Sequence, residues 1–154
     1  MLLQLKQSAF YPVVVWKEEM EVRRLSSSAA RFAEFLWHTV GDGFWADRQE
    51  WTSHQWRAQL GDIGVGFYVA YCGGESVGCF ELTRTDNSLH IDGFGLLSEY
   101  RGHGLGQSLL TAALEKSFSM GGREIWAEHS VNDHPAALPL FHSIGFRSNS
   151  SLSP

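Results

Sequence analysis

Three glycines at alternate positions, in Arg101-Gly102-His103-Gly104-Leu105-Gly106, are the residues of this 154-residue chain whose spacing points most directly to chemistry. Without Cβ atoms the backbone is open to close approach, so successive N–H groups can converge on one anion. The turn precedes a segment with Leu105, Leu109, Leu110, Ala113, Leu114 and Phe118 on one face, which predicts a helix over 102–120 ended by Gly121-Gly122. A helix N-terminus adds unpaired donors and the positive end of a dipole, a combination that favours phosphate. Two other phosphate loops do not fit. A Walker loop needs Gly-Lys followed by Ser or Thr, a triplet the chain lacks. A Gly-x-Gly-x-x-Gly fingerprint starting at Gly102 would need glycine where Gln107 stands.

The remaining elements follow from pattern. A first strand falls somewhere between Pro12 and Leu25, where Val13-Val14-Val15-Trp16 and Val22 are β-formers. Ser26, Ser27 and Ser28 offer caps for a helix with Phe32, Phe35, Leu36 and Val40 on one stripe, stopping near Gly41. The run Phe44 to Trp51 is too aromatic for a plain linker and too mixed in charge for a core, and reads as an ordered functional loop. Thr52 or Ser53 caps a short helix through Trp56 and Leu60, after which Val65 to Cys72 alternates as a strand. Turns at Gly73-Gly74 and Thr85-Asp86-Asn87 join it to strands over 76–84 and 89–97. Beyond the long helix come a strand over 123–130 and a helix from Pro135 to about Ser143, interrupted by Pro139, with any last strand brief. This order implies a mixed sheet with helices on its faces.

Composition limits the function. A hydrophobic content of 44%, with six tryptophans and ten phenylalanines, is that of one globular domain with ample material for a core. A net charge of −5 argues against a protein that grips a phosphate backbone, so no nucleic acid is expected as partner. Cys72 and Cys79 lie on apolar strand-like segments with no zinc-ligand spacing, and read as two free thiols in a reducing cytoplasm. No apolar run approaches the ~20 residues needed to cross a bilayer, and the first residues lack a basic region followed by an apolar stretch and a small-residue cleavage site, so a cytoplasmic protein without membrane partners is expected.

The segment LHIDGFGLLSEYRGHGLGQSLL resembles the cofactor motif of the GNAT superfamily of N-acetyltransferases, and DHPAALPLFHSIGF resembles its later helix and Gly-Phe ending. The match covers about residues 12 to 147. The chain also resembles a bacterial subgroup with Trp, Asp-Arg and Trp in the first loop, here Trp45, Asp47, Arg48 and Trp51, and Asp133-His134-Pro135 before the last helix. The resemblance implies a GNAT fold over 1–154, mostly antiparallel, with a splayed strand pair holding acetyl-CoA as cosubstrate. It implies that main-chain groups of Phe94, Gly95 and Leu96 hold the pantetheine arm. The amides of Arg101, Gly102, His103, Gly104, Leu105, Gly106 and Gln107 would receive the diphosphate. Dimers are common among such relatives, so a homodimer is allowed.

It also implies catalytic groups. An attacking amine must lose a proton; some superfamily members place a glutamate for this at the position occupied here by His90, and Glu81 on the neighbouring strand is a second candidate base. Asp92 shares a strand face with His90, because alternate residues project together, and would help attract a cationic amine. The tyrosine that usually protonates the departing thiolate is replaced by Phe141, which can still line the cofactor site but cannot donate. Trp45, Arg48 and Trp51 would overhang the acceptor, Arg48 pairing with a substrate carboxylate and the indoles stacking, unless the tryptophans simply plug the core. The expected activity is acetyl transfer to a primary amine of a small or amino-acid-like molecule. A catalytically weak CoA-binding regulator and an acetyltransferase of protein N-termini or lysines stay open beside it.

Overall fold

The strand Val65–Cys72 is apolar on both sides. Tyr68, Ala70 and Cys72 face one core cluster while Phe67 and Val69 face a second. Such a strand must be covered on both faces. A computed structural model shows how; it describes residues 1–9, 20–41, 44–128 and 135–148.

The strands are β1 (Leu2–Lys6), β2 (Met20–Arg24), β3 (Val65–Cys72), β4 (Glu75–Thr85), β5 (Ser88–Leu96), β6 (Glu124–Glu128) and β7 (Arg147–Ser148). The helices are α1 (Ala30–Gly41), α2 (Ser53–Gly61), α3 (Leu105–Ser119) and α4 (Ala137–Ile144). The sheet runs β2-β3-β4-β5-β6-β1-β7, with β5 and β6 parallel and the other described pairs antiparallel. This is the mixed, mostly antiparallel α+β architecture expected. Leu109, Leu110, Ala113 and Leu114 of α3 with Phe141 and Ile144 of α4 cover one face; Ala33, Leu36, Trp37 and Val40 of α1 with Trp56 and Leu60 of α2 cover the other. Each fully buried large apolar side chain contributes about 1.5–3 kcal/mol.

Several elements differ from the sequence reading. The run Val13 to Trp16 lies outside the described residues; β2 begins at Met20, and β1 near the start of the chain was not anticipated. The buried stripe of α1 is Ala33, Leu36, Trp37 and Val40, an i, i+3, i+4, i+7 set, and Phe35 is exposed. Thr52 caps α2 in a reciprocal pair with Gln55, as its position before the helix suggests. Helix α3 starts at Leu105, not 102, because Gly102 (φ +81°) and Gly104 (φ +78°) are left-handed and form the turn. Pro139 does not interrupt α4: it is third in that helix, where its missing N–H has no intrahelical carbonyl to reach. Among the described residues no helix is long and apolar enough to cross a membrane.

Candidate active site

Strands β5 and β6 stay paired only from Ser88↔Glu124 to Ile91↔Ala127. Beyond Ile91 the main-chain edge of β5 that faced β6 has no partner in the described ladder. On its other edge β5 slips register against β4 between Cys79 and Glu81. Gly93 sits in this irregularity at φ +55°; a Cβ there would stand 2.3 Å from the Trp37 ring, so the bend needs glycine. The buried Cys79 Sγ donates to the Gly93 carbonyl at 3.3 Å. Burial, and then the charge of Glu81, push the Cys79 thiol far up, which leaves it a structural donor and no nucleophile.

A cleft of about 930 Å³ occupies the parting. One end is formed by Arg101, Gly102, Gly104, Gly106 and Gln107, its middle by Phe94, Gly95, Leu96, Leu140 and Phe141, and the other end by Trp45, Asp47, Asp92 and Glu128. At the first end Gly104 is the N-cap of α3 and supplies no side chain to the helix amides. Among the described residues, chain neighbours apart, nothing lies within 4 Å of where Cβ atoms of Gly102 or Gly104 would stand. The Arg101 guanidinium donates to the Val40 carbonyl at 3.1 Å and ties the turn to the end of α1. Backbone donors at the start of a 15-residue helix, open and uncapped, suit a diphosphate. His103 is exposed outside the lining, and Leu105 turns toward the core.

At the far end Asp92, which lines the cleft, accepts the Gly93 N–H on Oδ1 at 2.9 Å, and its side chain is 61% solvent-exposed. Desolvation by the walls raises its pKa; the Gly93 N–H and then Arg48 pull it back, while Glu81 and Asp47 push it up. The result is a carboxylate with a pKa above the ordinary range, facing the cleft.

Arg48 and Glu81 are placed otherwise than expected. Arg48 Nη1 and Nη2 donate to the two oxygens of Glu81 at 2.9 and 2.6 Å, and Gln59 Nε2 donates to Glu81 Oε1 at 3.3 Å. The guanidinium lies 3.8 Å from the ring centroid of Trp37, 4.4 Å from that of Trp51 and 5.3 Å from that of Trp56. Side-chain exposure is 7% for Arg48 and 1% for Glu81. Glu81 is thus shut off from an acceptor amine, and the Arg48 fork is filled before any substrate carboxylate could use it. Trp51 packs edge-on against Trp56 at 5.1 Å, outside the cleft, which is the core-plug alternative; Trp45 packs on Trp37 at 5.0 Å and also lines the cleft. His90 is likewise outside: it is exposed and stacked on Trp126 at 6.5 Å, in the part of β5 still paired to β6. Asp133 and His134 lie outside the described residues.

Phe141 is buried, with its ring 5.6 Å from Phe94 and 5.1 Å from Phe146. Sequence reading missed Trp37, Asp47 and Glu128 as parts of the cleft. Trp37 could have been found from the α1 stripe and Asp47 from its place beside Arg48; Glu128 at the end of a strand gave no signal.

The buried pair carries its own expectation. Replacing Arg48 by Met alone leaves the Glu81 carboxylate buried without its cation and should destabilise the fold by about 3–5 kcal/mol. Urea unfolding of Arg48→Met beside the parent chain measures it.

The fold is a parted sheet with an uncapped glycine turn at one end of its cleft. The sequence model of the acetyltransferase (GNAT) family matches residues 26–146, and the chain belongs to that family, whose members are N-acetyltransferases using acetyl-CoA. No curated protein matches the sequence significantly. Among solved structures it is similar to a GCN5-related N-acetyltransferase of Kribbella flavida, with 17% identity and a TM-score of 0.67 over 95% of this chain and 52% of that one. The chain therefore spans about half the length of the Kribbella protein. It is similar to an aminoglycoside acetyltransferase from an uncultured soil metagenomic sample, with 20% identity and a TM-score of 0.66 over 85% of this chain and 93% of that one. The PaiA N-acetyltransferase of Thermoplasma acidophilum, solved with coenzyme A, has 18% identity and a TM-score of 0.66 over 85% and 91%. At these identities the likeness is one of fold.

Proposed function

We propose that the chain acetylates a primary amine on a small cationic molecule, with Asp92 as the base that takes the amine's proton. The observation that carries this reading is the polarity of the cleft: glycine amides at one end, Asp47, Asp92 and Glu128 at the other, and Arg101, at the glycine end, as the one cation among the described lining residues. A cation is drawn to the carboxylate end, where the open Asp92 has a pKa raised toward that of a working base.

The amides of Arg101 to Gln107 would hold the diphosphate of acetyl-CoA, and the free edge of Phe94, Gly95 and Leu96 its pantetheine arm. The thioester supplies an acyl carbon that an uncharged amine can attack, with coenzyme A thiolate as leaving group. Asp92 takes one proton from the bound ammonium, which frees the nitrogen lone pair. Attack forms the C–N bond; the adduct nitrogen then releases its second proton to solvent as the C–S bond breaks, and because Phe141 gives no proton the departing sulfur takes one from solvent. Trp45 closes the wall above the acceptor and limits competing water.

The test is thiol release from acetyl-CoA with a panel of mono-, di- and polyamines and amino-acid amides. Release with cationic amines is expected. Tight binding of acetyl-CoA without release on any of them would favour a CoA-binding regulator instead. That second reading draws support from one observation, the phenyl ring at the position of the usual acid.

A further inference from the structure

The Arg48–Glu81 pair lies outside the cleft lining, yet it stands directly behind Asp92. The Arg48 Nη2 that bonds Glu81 is also 4.0 Å from Asp92 Oδ2, and Glu81 is the register partner of Asp92 across the β4–β5 ladder. We propose that Arg48, locked by Glu81 and three indoles, is a positioning residue that holds the Asp92 carboxylate at the acceptor end of the cleft, a role resting on Asp92 being the base.

The arrangement does what neither charge could do alone. A guanidinium free to turn would take Asp92 itself in a two-pronged salt bridge, which would keep it ionised and strip it of basicity. Glu81 fills the fork, Gln59 holds Glu81, and the indoles fix the guanidinium plane, so Asp92 feels only the flank of a cation already paired. The groups that face Asp92 are Asp47 and Arg48 from the loop before α2, Glu81 from β4, the Gly93 N–H from its own strand, Glu128 along the cleft from β6, and the uncharged Trp37 from α1. Arg48 is the cation of this set, and its Nη2 stands 4.0 Å from Asp92 Oδ2.

Two changes should therefore move the pH profile in opposite directions. In Glu81→Gln the fork is released toward Asp92, and the acid limb of kcat/KM moves to lower pH with a fall in rate at neutral pH. In the double variant Arg48→Met/Glu81→Met both buried charges are replaced by apolar side chains, a change of kind that folds tolerate. There Asp92 loses the cation at its flank, and the limb moves to higher pH while the KM for acetyl-CoA is unchanged. A carbon-13 NMR titration of the Asp92 carboxyl reads the same shifts without an acceptor. If the double variant is folded and both limb and titration match wild type, the positioning role is overturned. Asp92→Asn separates the layers: if it abolishes the limb while the double variant keeps the wild-type limb, the positioning role alone fails. If Asp92→Asn keeps the limb, the base reading fails, and this proposal falls with it.

Discussion

Asp92→Asn is expected to lower kcat by about 10²–10⁴ at neutral pH, the range that a positioned base contributes. The amide keeps an oxygen that can accept the Gly93 N–H, now 2.9 Å from Oδ1, so the bend of β5 should survive. It cannot take a proton from an ammonium ion. The KM for acetyl-CoA should be unchanged, because Asp92 is at the end of the cleft remote from the glycine turn. The deficit should shrink as the assay pH rises toward the pKa of the acceptor, where the amine arrives already uncharged. Steady-state kinetics from pH 6 to 10 on the best amine of the panel checks each point.

The same substitution separates chemistry from stability. The native fold raises the Asp92 pKa, so it binds that proton more tightly than the unfolded chain does. Stability linked to the group is complete below the ordinary carboxylate range and is lost as pH rises through the raised native value. At pH 8 the Asn variant should melt at or above the wild-type temperature. A drop in kcat with a melting temperature that fell in parallel would show the loss to be one of folding, and would remove Asp92 from the chemistry.

The proposed base is Asp92, where the sequence pointed to His90 and Glu81, and the difference has a physical cause. Strand alternation correctly put His90 and Asp92 on one face, since both are exposed on β5. What decides between them is where β6 parts from β5. At His90 the ladder is still closed by Trp126, and at Asp92 it has ended. That point depends on the relation of two strands whose register partners are 36 residues apart in the chain, and no local pattern reports it. Glu81 fails for the same kind of reason. Its partner Arg48 is 33 residues away, and a buried ion pair is written in tertiary contacts alone. The glycine turn before α3, by contrast, was legible in outline, because left-handed dihedrals at glycine are properties of the local chain, although the helix itself starts three residues later than the pattern suggested.

The aromatic loop illustrates a mixed case. Its composition announced order, and the structure gives the reason: Trp45 and Trp51 extend the Trp37–Trp56 cluster, and Arg48 can be buried only because indole faces and Glu81 receive it. One loop thus joins the core, the buried pair and the cleft wall. The strand β1 lay beyond sequence reading because Leu2–Lys6 is short, and its pairing with β6 and β7 uses the far end of the chain.

Gly104→Val tests the other end of the cleft and is expected to weaken coenzyme A binding by about 10–100-fold, where each factor of ten is roughly 1.4 kcal/mol. The residue has φ +78° at the N-cap of α3, a conformation hostile to a β-branched side chain. Among the described residues, chain neighbours apart, nothing lies within 4 Å of the missing Cβ, so the new side chain meets none of them at that point. It stands instead in the opening that a diphosphate needs to reach the helix amides, while backbone strain of about 1–3 kcal/mol pulls those amides out of line. Strain alone is controlled by Gly121→Val. Gly121 has φ +88°, an equally open Cβ position and a place just past the other end of α3. Both variants should lose comparable stability in urea. Calorimetric titration with coenzyme A should then show a large loss for Gly104→Val and wild-type affinity for Gly121→Val. Equal affinity in the two variants and wild type would mean that the turn does not hold the cofactor, and that the polarity assigned to the cleft is wrong at its first end.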